Sequence, residues 1–181
     1  QVALQAAETG EILTISLLIT IVISLLIGTV TFSGSFVAFG KLGGFVSGNP
    51  ISFPGMRILT IIVAIGILGA GATAVYGSPL AAGDASLIVY GLLAVSALAF
   101  LLGILLVIPI GGADMPVVVA LLNSYSGLAA AATGFVLGNH ALIVSGALVG
   151  ASGLILTMIM CEGMNRSLLN VLLGGFGGDE H

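Results

Sequence analysis

The stretch Gly111–Phe135, GGADMPVVVALLNSYSGLAAAATGF, decides how the rest of the chain is read. It opens on an acid and a proline and stays apolar for the length of a membrane-crossing helix. In its middle it is interrupted by Asn123, Ser124, Tyr125 and Ser126. Asp114 suits the N-cap of this span, because a carboxylate there accepts free first-turn N–H groups. Pro116 suits the first turn, where a missing N–H costs nothing. Asn123 follows the cap by nine residues, which is roughly 13 to 14 Å of helical rise. That depth is close to the midplane of a hydrocarbon core about 30 Å thick. An amide buried there without partners costs about 2 to 7 kcal/mol. Two readings compete: a clamp between helices, or a polar station on an ion or proton path.

The surrounding chain has the same solvent. Of 181 residues, 59% are hydrophobic and only 6% are charged, whereas a soluble domain carries about a quarter charged residues. The composition predicts an integral membrane protein. About 20 apolar residues cross the core as a helix, and five segments qualify: Ile12–Phe39, Arg57–Tyr76, Ser86–Ile110, Met115–Leu137 and Leu142–Cys161. Their continuous apolarity excludes the alternating pattern of a barrel. The expected fold is therefore an all-α bundle of five spans over 12–162. It follows an extramembrane segment 1–11 and precedes a linker, 163–181, that ends in the glycine-rich LLGGFGGDEH. Gln1 and the lack of a basic leader point to a processed product or a piece of a longer polypeptide. Three basic residues and a net charge of −4 argue against nucleic-acid binding. The one cysteine, Cys161, forms no internal disulfide and no metal cluster.

The few charges set the topology. Lys41 and Arg57 flank the first connection and Arg166 follows the last span, so with five spans they share one side. Asp84, Glu8 and Glu11 fall on the other. The positive-inside rule then puts the amino end outside and the carboxyl end in the cytoplasm.

Other spans carry small and hydroxyl-bearing faces. In the first, Ser24, Gly28, Thr31 and Ser35 recur at helical spacing. In the fourth, Gly127, Ala131 and Gly134 extend the face of Asn123. In the fifth, Gly146, Gly150 and Gly153 form a stripe with Ser145 and Ser152 beside it. Any one stripe is explained by close packing. Three together, one centred on a midplane amide, point to a narrow and partly hydrated passage. No ionisable residue lies in the central part of any span, and Asn does not titrate near neutrality. A titrating group such as His is expected from another chain or a segment outside this one, because His140 lies in a short outer loop and His181 in the tail. At the basic side, Asp114 and Arg166 each sit just beyond a helix end, with Glu162 four residues before Arg166 and placed to pair with it. They read either as interface anchors or as a charged gate.

Three motifs, Gly111–Phe135 above, TFSGSFVAFGKLGG (31–44) and LIVSGALVGASGLILTMIMCEGMNRS (142–167), resemble the membrane domain of proton-translocating nicotinamide nucleotide transhydrogenases. The match is to the second half of the transmembrane region of the beta subunit. The resemblance implies hydride transfer between NADH and NADP+ coupled to proton movement. Both nucleotides bind in water-exposed domains outside this segment, so no cofactor is expected on these residues themselves, and no dinucleotide fingerprint is present. By motif, Asn123 and Ser35 match polar residues lining the family's proton path, with Thr31 and Ser124 beside them. Asp114 and Arg166, with Glu162 nearby, match charged residues at the interface with the NADP(H)-binding domain. Gly34, Gly134, Gly146, Gly150 and Gly153 fall where small residues affect packing and coupling. The implied partners are alpha-subunit helices, upstream beta-subunit helices, the NADP(H)-binding domain and lipid. Two alpha/beta units are expected to pair, and the expected location is a bacterial inner membrane. A structural membrane anchor and a small-solute transporter are the rival classes.

Overall fold

A computed structural model describes residues 15–80 and 85–173. Segment 1–14, Asp84 and the tail from 174 onward lie outside the described residues. Five long helices, each apolar enough to cross a membrane, are joined by short connections: α1 Ile15–Leu42, α2 Met56–Leu80, α3 Ala85–Val107, α4 Met115–Leu137 and α5 His140–Gly163. A single 3-10 turn, Gly112–Asp114, precedes α4, and a short α6, Leu168–Leu173, follows α5. No strand occurs among the described residues. This is an all-α, multi-pass membrane architecture.

Helix ends follow local chemistry. α3 stops at Val107, three residues short of the expected end, because Pro109 removes a donor and disfavours helical backbone before it. α2 runs on through Pro79 to Leu80, past the expected boundary at Tyr76. Gly138, at φ 63°, closes α4 in the left-handed conformation that glycine adopts without strain. Asn139 then caps α5, its side chain accepting the Leu142 N–H at 3.1 Å. That pair of residues is the whole connection between α4 and α5.

The helices pack in the order α2–α3–α1–α4–α5, an open row with α1 at the centre, in which α2 also touches α1 through Leu18 and Val75. α2 packs chiefly on α3, and α5 chiefly on α4, so much of α2 and α5 faces outward. Glycines set the closest approaches. A methyl at Gly127 would run into the Gly150 nitrogen and come within 2.8 Å of the Gly146 carbonyl oxygen. A methyl at Gly153 would likewise stand 2.7 Å from the Ser124 nitrogen, and one at Gly134 2.7 Å from the Ile143 nitrogen. At the α1–α3 crossing, Gly103 admits Ser33 and the Val30 carbonyl in the same way. Without a hydrophobic drive between helices in lipid, such close backbone contact is the main source of attraction.

α6 lies within the segment expected as linker. Ser167 caps it, accepting the Asn170 N–H at 3.1 Å. Val171 then joins a core cluster with Met115, Val117, Val107 and Cys161.

The glycine seam is directly testable. Gly127→Ala should overpack α4 against α5 and cost about 1–3 kcal/mol. Gly69→Ala, at an exposed helical site with open space around it, should be neutral or stabilising by up to about 1 kcal/mol. Unfolding midpoints in detergent compare the two.

Candidate functional site

The close α4–α5 approach fixes the rotation of α4, and with it the fate of its central polar run. Ser124 points inward: it is buried and donates to the Gly150 carbonyl at 2.6 Å. Gly127 and Gly134 share its buried face. Asn123, one residue and about 100° earlier at 3.6 residues per turn, therefore points away from that seam. It is exposed, and no hydrogen bond among the described residues engages its amide. The glycine stripe expected to extend the Asn123 face instead extends the Ser124 face. Ser124 thus clamps two helices, and the midplane amide looks outward.

Asn123 belongs to an exposed polar strip. Ser126, three residues on, is exposed, and so are Ser145 and Ser152 on α5. Ser126, Ala130, Ser145 and Val149 line a shallow groove of about 180 Å³ over the glycine seam. The three serine hydroxyls donate to carbonyls of their own helices, at 3.0 Å for Ser126 and Ser152 and 3.3 Å for Ser145. Their lone pairs remain available to a neighbour or to water, while Asn123 offers both a donor and an acceptor.

On α1, the residues expected to share one face divide. Thr31 is buried and donates to the Ile27 and Gly28 carbonyls, each at 2.9 Å. Ser35 is exposed beside the outward Phe32, Phe36 and Phe39. Gly34 packs against Val107 and Leu122, at 3.1 and 3.3 Å from where its Cβ would stand. Because Leu122 precedes Asn123 and Gly34 precedes Ser35, the amide and the hydroxyl lie at the same level of the bundle. Toward the other end of the α1–α4 seam, Ser24, Gly28, Thr29 and Thr133 line a wider groove of about 390 Å³. The Ser24 hydroxyl there is buried without a partner.

The charged residues gather at one end. Arg166 pairs with Asp114 through Nη1 and Oδ2 at 2.5 Å. This corrects two expectations. The Asp114 carboxylate does not cap α4: the residue is helical, at φ −90° and ψ −5°, and its side chain makes no cap bond. Arg166 does not pair with Glu162, which is exposed one turn back on α5. The reason is the end of α5. Asn165 adopts a left-handed φ of 53°, Arg166 N–H donates to the Cys161 carbonyl and Asn165 N–H to that of Glu162, both at 2.9 Å. This Schellman closure takes Arg166 off the helical path on which a spacing of four would hold and turns it toward α4.

A second cation at this end drew attention in the sequence only for topology. Lys41 is buried and donates to the carbonyls of Asn49, Ile108 and Ile110. No local pattern announces it, because two of its three partners lie in a connection 67 and 69 residues away.

Five apolar spans, a midplane amide and a charged end now stand together. A sequence profile described as NAD(P) transhydrogenase beta subunit matches residues 2–181. The chain belongs to the NAD(P) transhydrogenase beta subunit family. Two curated relatives in Rhodospirillum rubrum, one from a defined strain, each carry the name NAD(P) transhydrogenase subunit beta. Each is 52% identical over 162 residues, 90% of this chain. The chain spans 33% of the length of those relatives.

The partner of Arg166 can be read from stability. Asp114→Asn should lower stability by about 1 kcal/mol, the upper range for a partly exposed ion pair. Glu162→Gln should stay within about 0.5 kcal/mol of wild type. Equal effects in thermal unfolding would contradict the assignment.

Proposed function

We propose that this chain forms part of the proton-translocating membrane domain of a transhydrogenase, which couples hydride transfer from NADH to NADP+ with proton movement. The observation that carries the reading is the Asn123 amide, near the middle of α4, exposed on the outer surface of the row and without a partner among the described residues. Facing lipid, it would cost several kcal/mol. The polar strip of Asn123, Ser126, Ser145 and Ser152, with Ser35 level with Asn123, is better satisfied by water and by helices outside this segment. On this reading the passage runs between this row and those neighbours, not through the row, and their contribution includes the titrating group that Asn123 lacks. Asn123 orients water and Ser35 continues the chain of hydrogen bonds, while Thr31 and Ser124 hold the walls.

The end bearing Lys41, Asp114 and Arg166 is taken as cytoplasmic by the positive-inside rule. There the Asp114–Arg166 pair adjoins the point where the chain leaves α6 toward the NADP(H)-binding domain of the full subunit. Making and breaking the pair is a two-state contact through which nucleotide state biases access to the path. NAD(H) and NADP(H) act in the complete enzyme and not on these residues. The upstream beta-subunit helices, the alpha subunit and a second alpha/beta unit complete the assembly, in a bacterial inner membrane.

A purely structural anchor is favoured only for the α4–α5 seam itself, where Ser124 and the glycines are buried and Ser124 donates to the Gly150 carbonyl. Asn123→Leu in the complete enzyme, reconstituted in vesicles, distinguishes the two roles. Hydride-coupled proton uptake should fall by roughly 100-fold, the low end for a positioned proton-transfer group, while assembly is preserved. Full uptake in a folded variant would return Asn123 to packing alone.

A further inference from the structure

Lys41 is the one lysine of the chain, it is 5% exposed, and no proposed step above uses it. Its ammonium donates to three main-chain carbonyls, those of Ile108 at 2.5 Å, Ile110 at 2.8 Å and Asn49 at 3.3 Å. Among the described residues no carboxylate pairs with it, and Asp114, the one acid there in an ion pair, is held by Arg166. A buried cation without a counter-ion persists only if its donors are all satisfied, and Lys41 has three donors and three acceptors. Two of those acceptors flank Pro109, where α3 has ended and carbonyls are left free. The negative end of the α3 dipole adds to the attraction.

The consequence lies four residues beyond Ile110. Segment 108–112 is held by Lys41 on its carbonyls and by the loop between α1 and α2, through Gly112 N–H to the Gly48 carbonyl at 2.7 Å and Ile51 N–H to the Ile108 carbonyl at 3.4 Å. The chain so held enters the 3-10 turn with Asp114 N–H on the Gly111 carbonyl at 3.1 Å. A capping residue needs extended backbone. Asp114 is helical there, so its carboxylate is kept off the first turn of α4 and remains free for Arg166.

We propose that Lys41 is a positioning residue for the Asp114–Arg166 pair: by holding the Ile108 and Ile110 carbonyls it fixes the turn that presents the Asp114 carboxylate to Arg166. Without the ammonium, segment 108–114 relaxes, Asp114 takes the capping conformation, and the ion pair is lost. The effect on transport rests on the coupling role proposed for that pair; the effect on geometry does not.

The test uses the complete enzyme carrying Lys41→Met, Asp114→Asn and both, with unfolding midpoint and hydride-coupled proton uptake measured for each. Asp114→Asn should lower the midpoint in the wild-type background and leave it unchanged in Lys41→Met. Each single variant should lose about fivefold or more in coupled uptake, the low end for coupling between sites, and the double variant no more than the worse single. Lys41→Arg, which keeps charge and donors, should recover most of the loss. If Asp114→Asn lowers the midpoint equally in both backgrounds, the two residues act independently and the proposal is overturned. If the midpoints behave as expected while Asp114→Asn transports normally, the positioning stands and the coupling role of the pair fails. Should Lys41→Met not accumulate in membranes, Lys41→Gln carries the same comparison. Failure of both to accumulate would make Lys41 a folding residue only and overturn the positioning role.

Discussion

Two helix backbones can touch only where neither carries a Cβ in the way, and α4 and α5 meet under that constraint at Gly127, Gly134, Gly146 and Gly153. The contact leaves α4 no rotational freedom. With the glycines turned inward, Ser124 must also turn inward and finds the Gly150 carbonyl, while Asn123 is carried to the opposite exposure. A rotation of one residue would bury the amide and set Ser124 outside, but it would also drive side chains into the α5 backbone. The outward position of the one strong amide at mid-depth is therefore a consequence of steric exclusion elsewhere on the same helix.

The open row gives that position its meaning. A closed bundle of five helices has an interior in which polar groups find partners, whereas in a row α3, α1 and α4 have neighbours on both sides and the end helices α2 and α5 are left more open. α4, which has more buried residues than any other helix, still exposes the Asn123 strip. In hydrocarbon such a strip is unfavourable and on a hydrated protein interface it is not.

At the charged end, backbone geometry decides which charges meet. A left-handed Asn165 ends α5 and sends Arg166 toward Asp114, and a buried Lys41 secures the turn from which Asp114 projects. Neither contact is between neighbours in sequence. α6 closes the same region by placing Val171 in the cluster at the start of α4, so it packs against the helix that bears Asn123.

Hydropathy by itself determined the five spans, their all-α character and most of their limits, since crossing about 30 Å of hydrocarbon leaves a chain this apolar little else to form. It also singled out Asn123, Asp114 and Arg166 by their chemical incongruity. What it could not determine was direction. Helical spacing placed Asn123 with the glycines and Glu162 with Arg166, because both pairs are separated by four residues. The tertiary structure separated them: the glycines are consumed by close contact with α5, and a left-handed residue breaks the helix before Arg166. Lys41 shows the same limit, for its three acceptors come from loops up to 69 residues away. Periodicity along one helix reports which residues share a face, but only the neighbouring backbone decides where that face points.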